Sequence, residues 1–135
     1  MNSEEMYAEV ILDYYRNPRN KGSLENPNIH ARDVNPVCGD IIEINANING
    51  EKIREIKFNG KGCVISQASA SLLTENLINK EVTEAKNLNK EDILGILGIP
   101  ISPMRLKCAL LPLKVFKLGL YKYLGEELEE NGNEG

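Results

Sequence analysis

Tryptophan is absent from this chain, phenylalanine occurs only twice and histidine once. A core poor in aromatics has to be built mostly from Ile, Leu and Val. Long apolar runs are missing too. Stretches such as Ala109–Leu113 are short and interrupted, far below the roughly 20 residues a helix needs to span a bilayer, so no membrane span is expected. The basic residues, 16 Lys and Arg against 20 Asp and Glu, are scattered rather than gathered into a stripe, and the net charge is −4. That balance argues against nucleic-acid binding. The start of the chain sets Glu4 and Glu5 beside Met6, with no basic start followed by an apolar run, which is not a signal peptide. A cytoplasmic location follows as the default.

What is present has the character of a single globular unit. The 135 residues are 41% hydrophobic and 27% charged, ordinary for one compact domain. That domain is expected over residues 1–125, followed by an acidic, Gly- and Asn-rich flexible tail over residues 126–135. A first helix is expected over Glu4–Arg16, capped by Ser3 and ended by Asn17-Pro18. Residues 19–35, rich in Asn, Pro and Gly, read as irregular. Ile42, Ile44, Ala46 and Ile48 then alternate with polar residues, Asn49-Gly50 signals a tight turn, and Ile56 and Phe58 alternate after it, which together describe an antiparallel hairpin. Helices are expected over Ser66–Ile78, about Thr83–Leu88, Lys90–Leu97 and Ala109–Leu124. Thr83 and Asn89 are candidate caps. Pro100 and Pro103 mark a stiff, extended linker, and Pro112 is harmless only in the first turn of the last helix. The order of elements is α+β, a small antiparallel sheet with helices packed on one face.

Three cysteines cannot all pair with one another, and in a reducing compartment free thiols serve structure, catalysis or metal binding. Their spacing matches no zinc-knuckle pattern. Their local settings are more telling. Cys38 lies in the turn-like run Asn35-Pro36-Val37-Cys38-Gly39-Asp40, and Cys63 follows Gly60-Lys61-Gly62 just ahead of a helix. Cys108 follows Arg105-Leu106-Lys107 at an expected helix start. Helix N-termini and nearby cations favour the thiolate, which is both nucleophile and soft metal ligand. Asp40, two residues after Cys38, adds an oxygen donor. The bland alternative is three buried cysteines, since free Cys is among the most buried residue types. That reading suits any one of them better than all three in glycine- or terminus-bounded positions.

These three segments, with the Ser/Ala-rich stretch running on to Thr74-Glu75, resemble the cysteine motifs of the IscU/NifU N-terminal scaffold family over residues 7–123. The resemblance implies a SufE/IscU-like fold and a protein that takes sulfur from a cysteine desulfurase, builds a labile 2Fe–2S cluster and passes it to apo-proteins. It implies that Cys38, Asp40, Cys63 and Cys108 hold the cluster, with Asp40 tuning its lability and Cys108 or Cys38 carrying a persulfide. Three thiolates and a carboxylate make a more exchangeable site than the four thiolates of a ferredoxin, and the same set can hold Zn2+ in the apo form. Assembly on a monomer and on a cluster-bridged dimer are both left open.

Two departures stand out. Where most IscU-type members carry a histidine before the last cysteine, this chain has Lys107, whose charge can stabilise the Cys108 thiolate. Lysine there resembles SufU-type members, which look like zinc-dependent sulfurtransferases, although SufU-type chains carry an extra segment between the second and third cysteines that this chain lacks. The single histidine, His30, lies in the loop before Cys38 and reads as solvent-facing. Secondly, Pro100-Ile101-Ser102-Pro103-Met104-Arg105 replaces the Leu-Pro-Pro-Val-Lys segment read by a DnaK-type chaperone. The extended, proline-stiffened character is kept but two of its three central residues differ, which leaves a contact with a DnaK-type chaperone open.

Overall fold

Ile42, Ile44 and Ala46, every second residue of one strand, are wholly buried. They form the inner face of the middle strand in a three-stranded antiparallel sheet of order β1-β2-β3. The computed structural model describes residues 3–125 in the order α1 (Ser3–Arg16), β1 (Ile29–Asn35), β2 (Asp40–Asn49), β3 (Lys52–Lys61), α2 (Val64–Leu77), α3 (Val82–Lys86), α4 (Lys90–Leu97) and α5 (Pro103–Leu124). The cap expected from the Ser3 side chain and the tail expected over residues 126–135 lie outside what is described.

The hairpin is present, with Asn49 paired to Lys52 across a two-residue turn. A register shift between Asn47 and Ile48 explains why the buried residues of β3 are spaced three apart, Ile53 then Ile56, before Phe58 restores the alternation. The stretch expected to be irregular contributes β1 instead, paired from Ile29 opposite Ala46 to Asn35 opposite Asp40. Only Ile29 and Asn35 of β1 are buried, because the strand lies at the sheet edge, so it offers no apolar alternation to read.

Helices α2 and α5 cover the inner face, α5 against β1 and β2 and α2 against β3, while α1 packs on α2. Phe58 and Phe116, the only two phenylalanines, are both fully buried among Ile, Leu and Val, as an aromatic-poor composition demands. Close approach of α5 to β1 depends on Gly119, where an added Cβ would come within 2.6 Å of Ile29 Cγ2.

Three helix boundaries differ from expectation. Helix α3 starts earlier, with Glu81 and Glu84 forming its capping box, so Thr83 lies inside the helix. Helix α2 starts at Val64 with Cys63 itself as N-cap. The largest difference is α5, which starts at Pro103 behind a Ser102 cap rather than near Cys108. Two prolines compete for the first-turn position, and Pro103 takes it. Pro112 therefore sits in the helix interior, where its missing N–H leaves the Cys108 carbonyl without an i+4 donor. The linker shortens to Ile99–Ser102. Asn89 caps α4 as expected, exchanging hydrogen bonds with Asp92.

Candidate metal centre

Asp40 is the first residue of β2, opposite Asn35 at the end of β1, so the turn between them is held at the open end of the sheet. The Gly39 N–H donates to the Asn35 carbonyl at 2.8 Å and closes that turn, which carries Cys38. Two helices meet the same point. Helix α2 begins at Cys63, whose sulfur accepts from the Ser66 N–H at 3.5 Å, and the second turn of α5 supplies Cys108. Donor atoms of Cys38, Asp40 and Cys108 all lie within 4.8 Å of one another, close enough to share one ion. The Cys63 sulfur is not in that group of three. Its backbone N–H instead donates to Asp40 Oδ1 at 2.9 Å, leaving the half-buried sulfur at the rim.

Asp40 is fully buried, and its oxygens are heavily engaged. Besides the Cys63 N–H, Ser66 Oγ donates to Oδ1 at 3.2 Å and Asn35 Nδ2 reaches Oδ2 at 3.4 Å. Burial pushes the carboxyl up, but these bonds and one from Cys108 outweigh it and hold Asp40 below the ordinary carboxylate range. Cys108 moves the other way. Burial first, then hydrogen bonding to Asp40, Cys38 and Cys63, pushes its thiol far above the ordinary thiol range. The proton therefore belongs to sulfur and the charge to the carboxylate. This corrects the expectation of a helix-terminus thiolate: Cys108 lies too far along α5 for the terminal amides to reach it, and it is a protonated thiol until something displaces the proton.

The cation beside the thiols also differs from expectation. Arg105 sets its guanidinium beside the Cys108 and Cys63 sulfurs, whose negative charge when ionised holds its pKa above the ordinary value. It precedes Cys108 by three residues on α5, so both side chains share a helix face. The Arg105 and Lys107 side chains are both exposed, but Lys107, adjacent in sequence to Cys108, points about 100° away around the helix. A helix start at Ser102 would have exposed that relation in the sequence; a start at Cys108 hid it. His30 is remote from the centre. It pairs with Glu43 on the outer face, at the opposite end of β1 from Asn35.

The mouth of the centre is apolar and open. Val37, next to Cys38, is 77% exposed, and Met104, at the start of α5, is 73% exposed. Gly62 sets how closely α2 can approach Asp40. Its φ is +150°, and an added Cβ would lie 2.2 Å from Asp40 Oδ1.

The chain matches the family model described as the NifU-like N-terminal domain over residues 6–130. It is 36% identical to the "Zinc-dependent sulfurtransferase SufU" of Bacillus subtilis, covering 98% of this chain and 97% of that one. It is 35% identical to the "Iron-sulfur cluster assembly scaffold protein IscU" of Escherichia coli, covering 87% and 93%. A crystal structure titled as a putative iron-sulfur cluster assembly scaffold protein for the SUF system, from Fervidobacterium islandicum, superposes with a TM-score of 0.73 at 31% identity, covering 88% of this chain and 99% of that one. With the model match extending from α1 past the end of α5, this chain belongs to the NifU-like N-terminal domain family.

Proposed function

We propose that this protein is an iron–sulfur cluster assembly scaffold that accepts sulfur from a cysteine desulfurase, builds a 2Fe–2S cluster as cargo and passes it to apo-proteins. The observation that carries the reading is the convergence of Cys38, Asp40 and Cys108 donors within 4.8 Å, with Cys63 tied to the same carboxylate through its backbone N–H. The donor set suits soft iron and sulfide, and the single carboxylate keeps the site exchangeable.

Each residue has a part. Cys63 and Cys38, half-buried, are the thiols a docked desulfurase reaches first, whereas Cys108 is closed in behind them. Sulfur acceptance moves one sulfane sulfur from the desulfurase persulfide to a thiolate of this chain and leaves a thiolate on the desulfurase. Arg105 favours the thiolate and the persulfide anion by its charge. Val37 and Met104 offer the desulfurase an apolar rim around the site. Reduction of the transferred sulfur to sulfide draws electrons from an added reductant. We place this work in the cytoplasm; among the described residues no helix is long and apolar enough to cross a membrane.

The similarity to SufU supports a second reading, a sulfurtransferase whose centre holds zinc. Cys38, Asp40 and Cys108 would supply three donors of a tetrahedral zinc site, with Cys63 moving in as the fourth, and the ion would order the loops around Asp40. Length does not separate the two: the SufU alignment runs over 149 positions for a chain of 135 residues, and the alignment with the IscU of Thermotoga maritima runs over 133 positions for 87% of this chain, so both relatives carry residues that this chain lacks.

Anaerobic incubation with a cysteine desulfurase, cysteine, ferrous iron and a dithiol reductant separates the two. Visible charge-transfer bands that decay as an apo-ferredoxin gains its cluster are the expected result. Persulfide on a cysteine with tightly held zinc and no such bands establishes the transferase instead.

A further inference from the structure

The turn that carries Cys38 begins at Asn35, the last residue of β1 and only 6% exposed. Asn35 stands directly opposite Asp40 across the β1–β2 pair, and cross-strand partners project from the same face of a sheet. Its side chain therefore enters the centre beside the carboxylate. Both ends of the amide are engaged there. Oδ1 accepts the Val37 N–H at 3.3 Å. Nδ2 donates to Asp40 Oδ2 at 3.4 Å and to Cys108 Sγ at 3.8 Å, the longer distance reflecting the larger sulfur atom. An amide nitrogen carries two hydrogens, and two acceptors face it here. A donor on one side and acceptors on the other also fix which way round the amide lies.

The turn alone does not call for this residue. Asp and Ser accept a backbone N–H two residues on in the same way as Asn. At position 35, however, Asp would bring no donor and a second buried negative charge, and Ser is too short to span from β1 to α5. Asn closes the turn and still has two N–H groups left for metal-binding atoms. The Asp40 carboxylate shows a matching division. Oδ1 already takes the Cys63 N–H and the Ser66 hydroxyl. On Oδ2 the Asn35 amide is the one nitrogen or oxygen donor among the described residues, which leaves that oxygen a lone pair for an ion.

We propose that Asn35 is the positioning residue of the metal centre: one amide spans from β1 to α5 and holds the Asp40 carboxylate and the Cys108 sulfur where a single thiophilic ion can take both. The inference rests on the metal-centre reading and holds whether the ion is iron or zinc. Groups hydrogen-bonded to metal ligands are commonly worth about 10–100-fold in metal affinity. An N–H directed at a ligating sulfur also lowers the energy of the sulfur lone pairs, so its loss marks the electronic spectrum of the bound ion.

The probe is Co2+, which takes tetrahedral zinc-type sites and reports them by colour, titrated anaerobically into the full chain and into Asn35→Ser. That variant keeps an oxygen for the Val37 N–H and removes the amide donors. It should bind Co2+ about 10–100-fold more weakly, and at saturation its thiolate-to-cobalt charge-transfer band should move to longer wavelength. Asn35→Thr, which restores part of the lost volume and suits a strand, gives the same test if Asn35→Ser does not fold. The control is Asn45→Ser, which removes a 5% exposed amide opposite His30, away from the centre. It should change neither affinity nor band, and thermal melts show what each variant costs the fold. Three results overturn the proposal alone. Affinity within about twofold of the unaltered chain means that the amide does not position the donors. Lost affinity with an unmoved band makes Asn35 a turn residue only. An equal loss in Asn45→Ser makes the effect one of stability. Failure of the unaltered chain to bind Co2+ is a distinct outcome, which removes the metal centre and the proposal with it.

Discussion

The Cys63 backbone N–H donates to Asp40 Oδ1 at 2.9 Å and so fixes the start of α2 to the start of β2 through one buried carboxylate. The contact requires Gly62, because any side chain there would overlap that oxygen. Gly62→Ala should cost about 1–3 kcal/mol, from the positive φ and the displaced carboxylate. It should weaken zinc or iron binding far more than it lowers the melting temperature. Chelator competition beside a thermal melt checks this, and unchanged affinity would show that Asp40 is not part of the metal set.

Arg105, not Lys107, faces the thiols. Arg105→Gln should slow sulfur acceptance from the desulfurase by about two- to fivefold, the scale of one exposed charge contact. Lys107→Gln should change it less than about twofold, because its side chain leaves α5 about 100° around the helix from Cys108. Persulfide formation resolved by mass spectrometry measures both, and the reverse ranking would return the role to Lys107.

How much of this was legible in the sequence depended on how each signal is written. The hairpin could be read because Ile42, Ile44, Ala46 and the Asn49-Gly50 turn carry period and turn chemistry locally. The edge strand β1 could not, since its Ala31, Arg32 and Asp33 gain their pairing from β2 and bury little. The cysteine motifs identified the centre, and Cys38, Asp40 and Cys108 do converge. The setting of Cys108 is hidden in the sequence because Pro103 and Pro112 both suit a helix start, and only the fold shows that Ser102 and Pro103 set it.

Metal uptake must expel a proton. Because burial and the Asp40 bond keep Cys108 protonated well above neutral pH, apparent zinc affinity should rise through the neutral range by about tenfold per pH unit for each thiol proton displaced. Zinc added to the metal-free chain in weak buffer should acidify the solution, read by an indicator dye. Chelation should take the protons back up. A pH-independent affinity would mean that the thiols were already ionised.

The pairing of Cys108 with Asp40 makes a last prediction with a definite sign. Burial is the larger cause of the raised thiol and the Asp40 carboxylate the next. Asp40→Asn removes the charge and leaves the burial, so the Cys108 midpoint should fall yet stay above the ordinary value of about 8.5. Peptide-resolved alkylation against pH reads that midpoint without interference from Cys38 and Cys63. Stability follows by linkage. A thiol whose folded pKa is raised stabilises the fold fully below the unfolded value and loses that contribution as pH climbs from there toward the folded one. The metal-free protein should therefore lose stability above about pH 8.5, and Asp40→Asn should lose less over the same range. If the variant's alkylation midpoint equals that of the unaltered chain, the proton on Cys108 is held by burial and the neighbouring thiols, and Asp40 is not its acceptor.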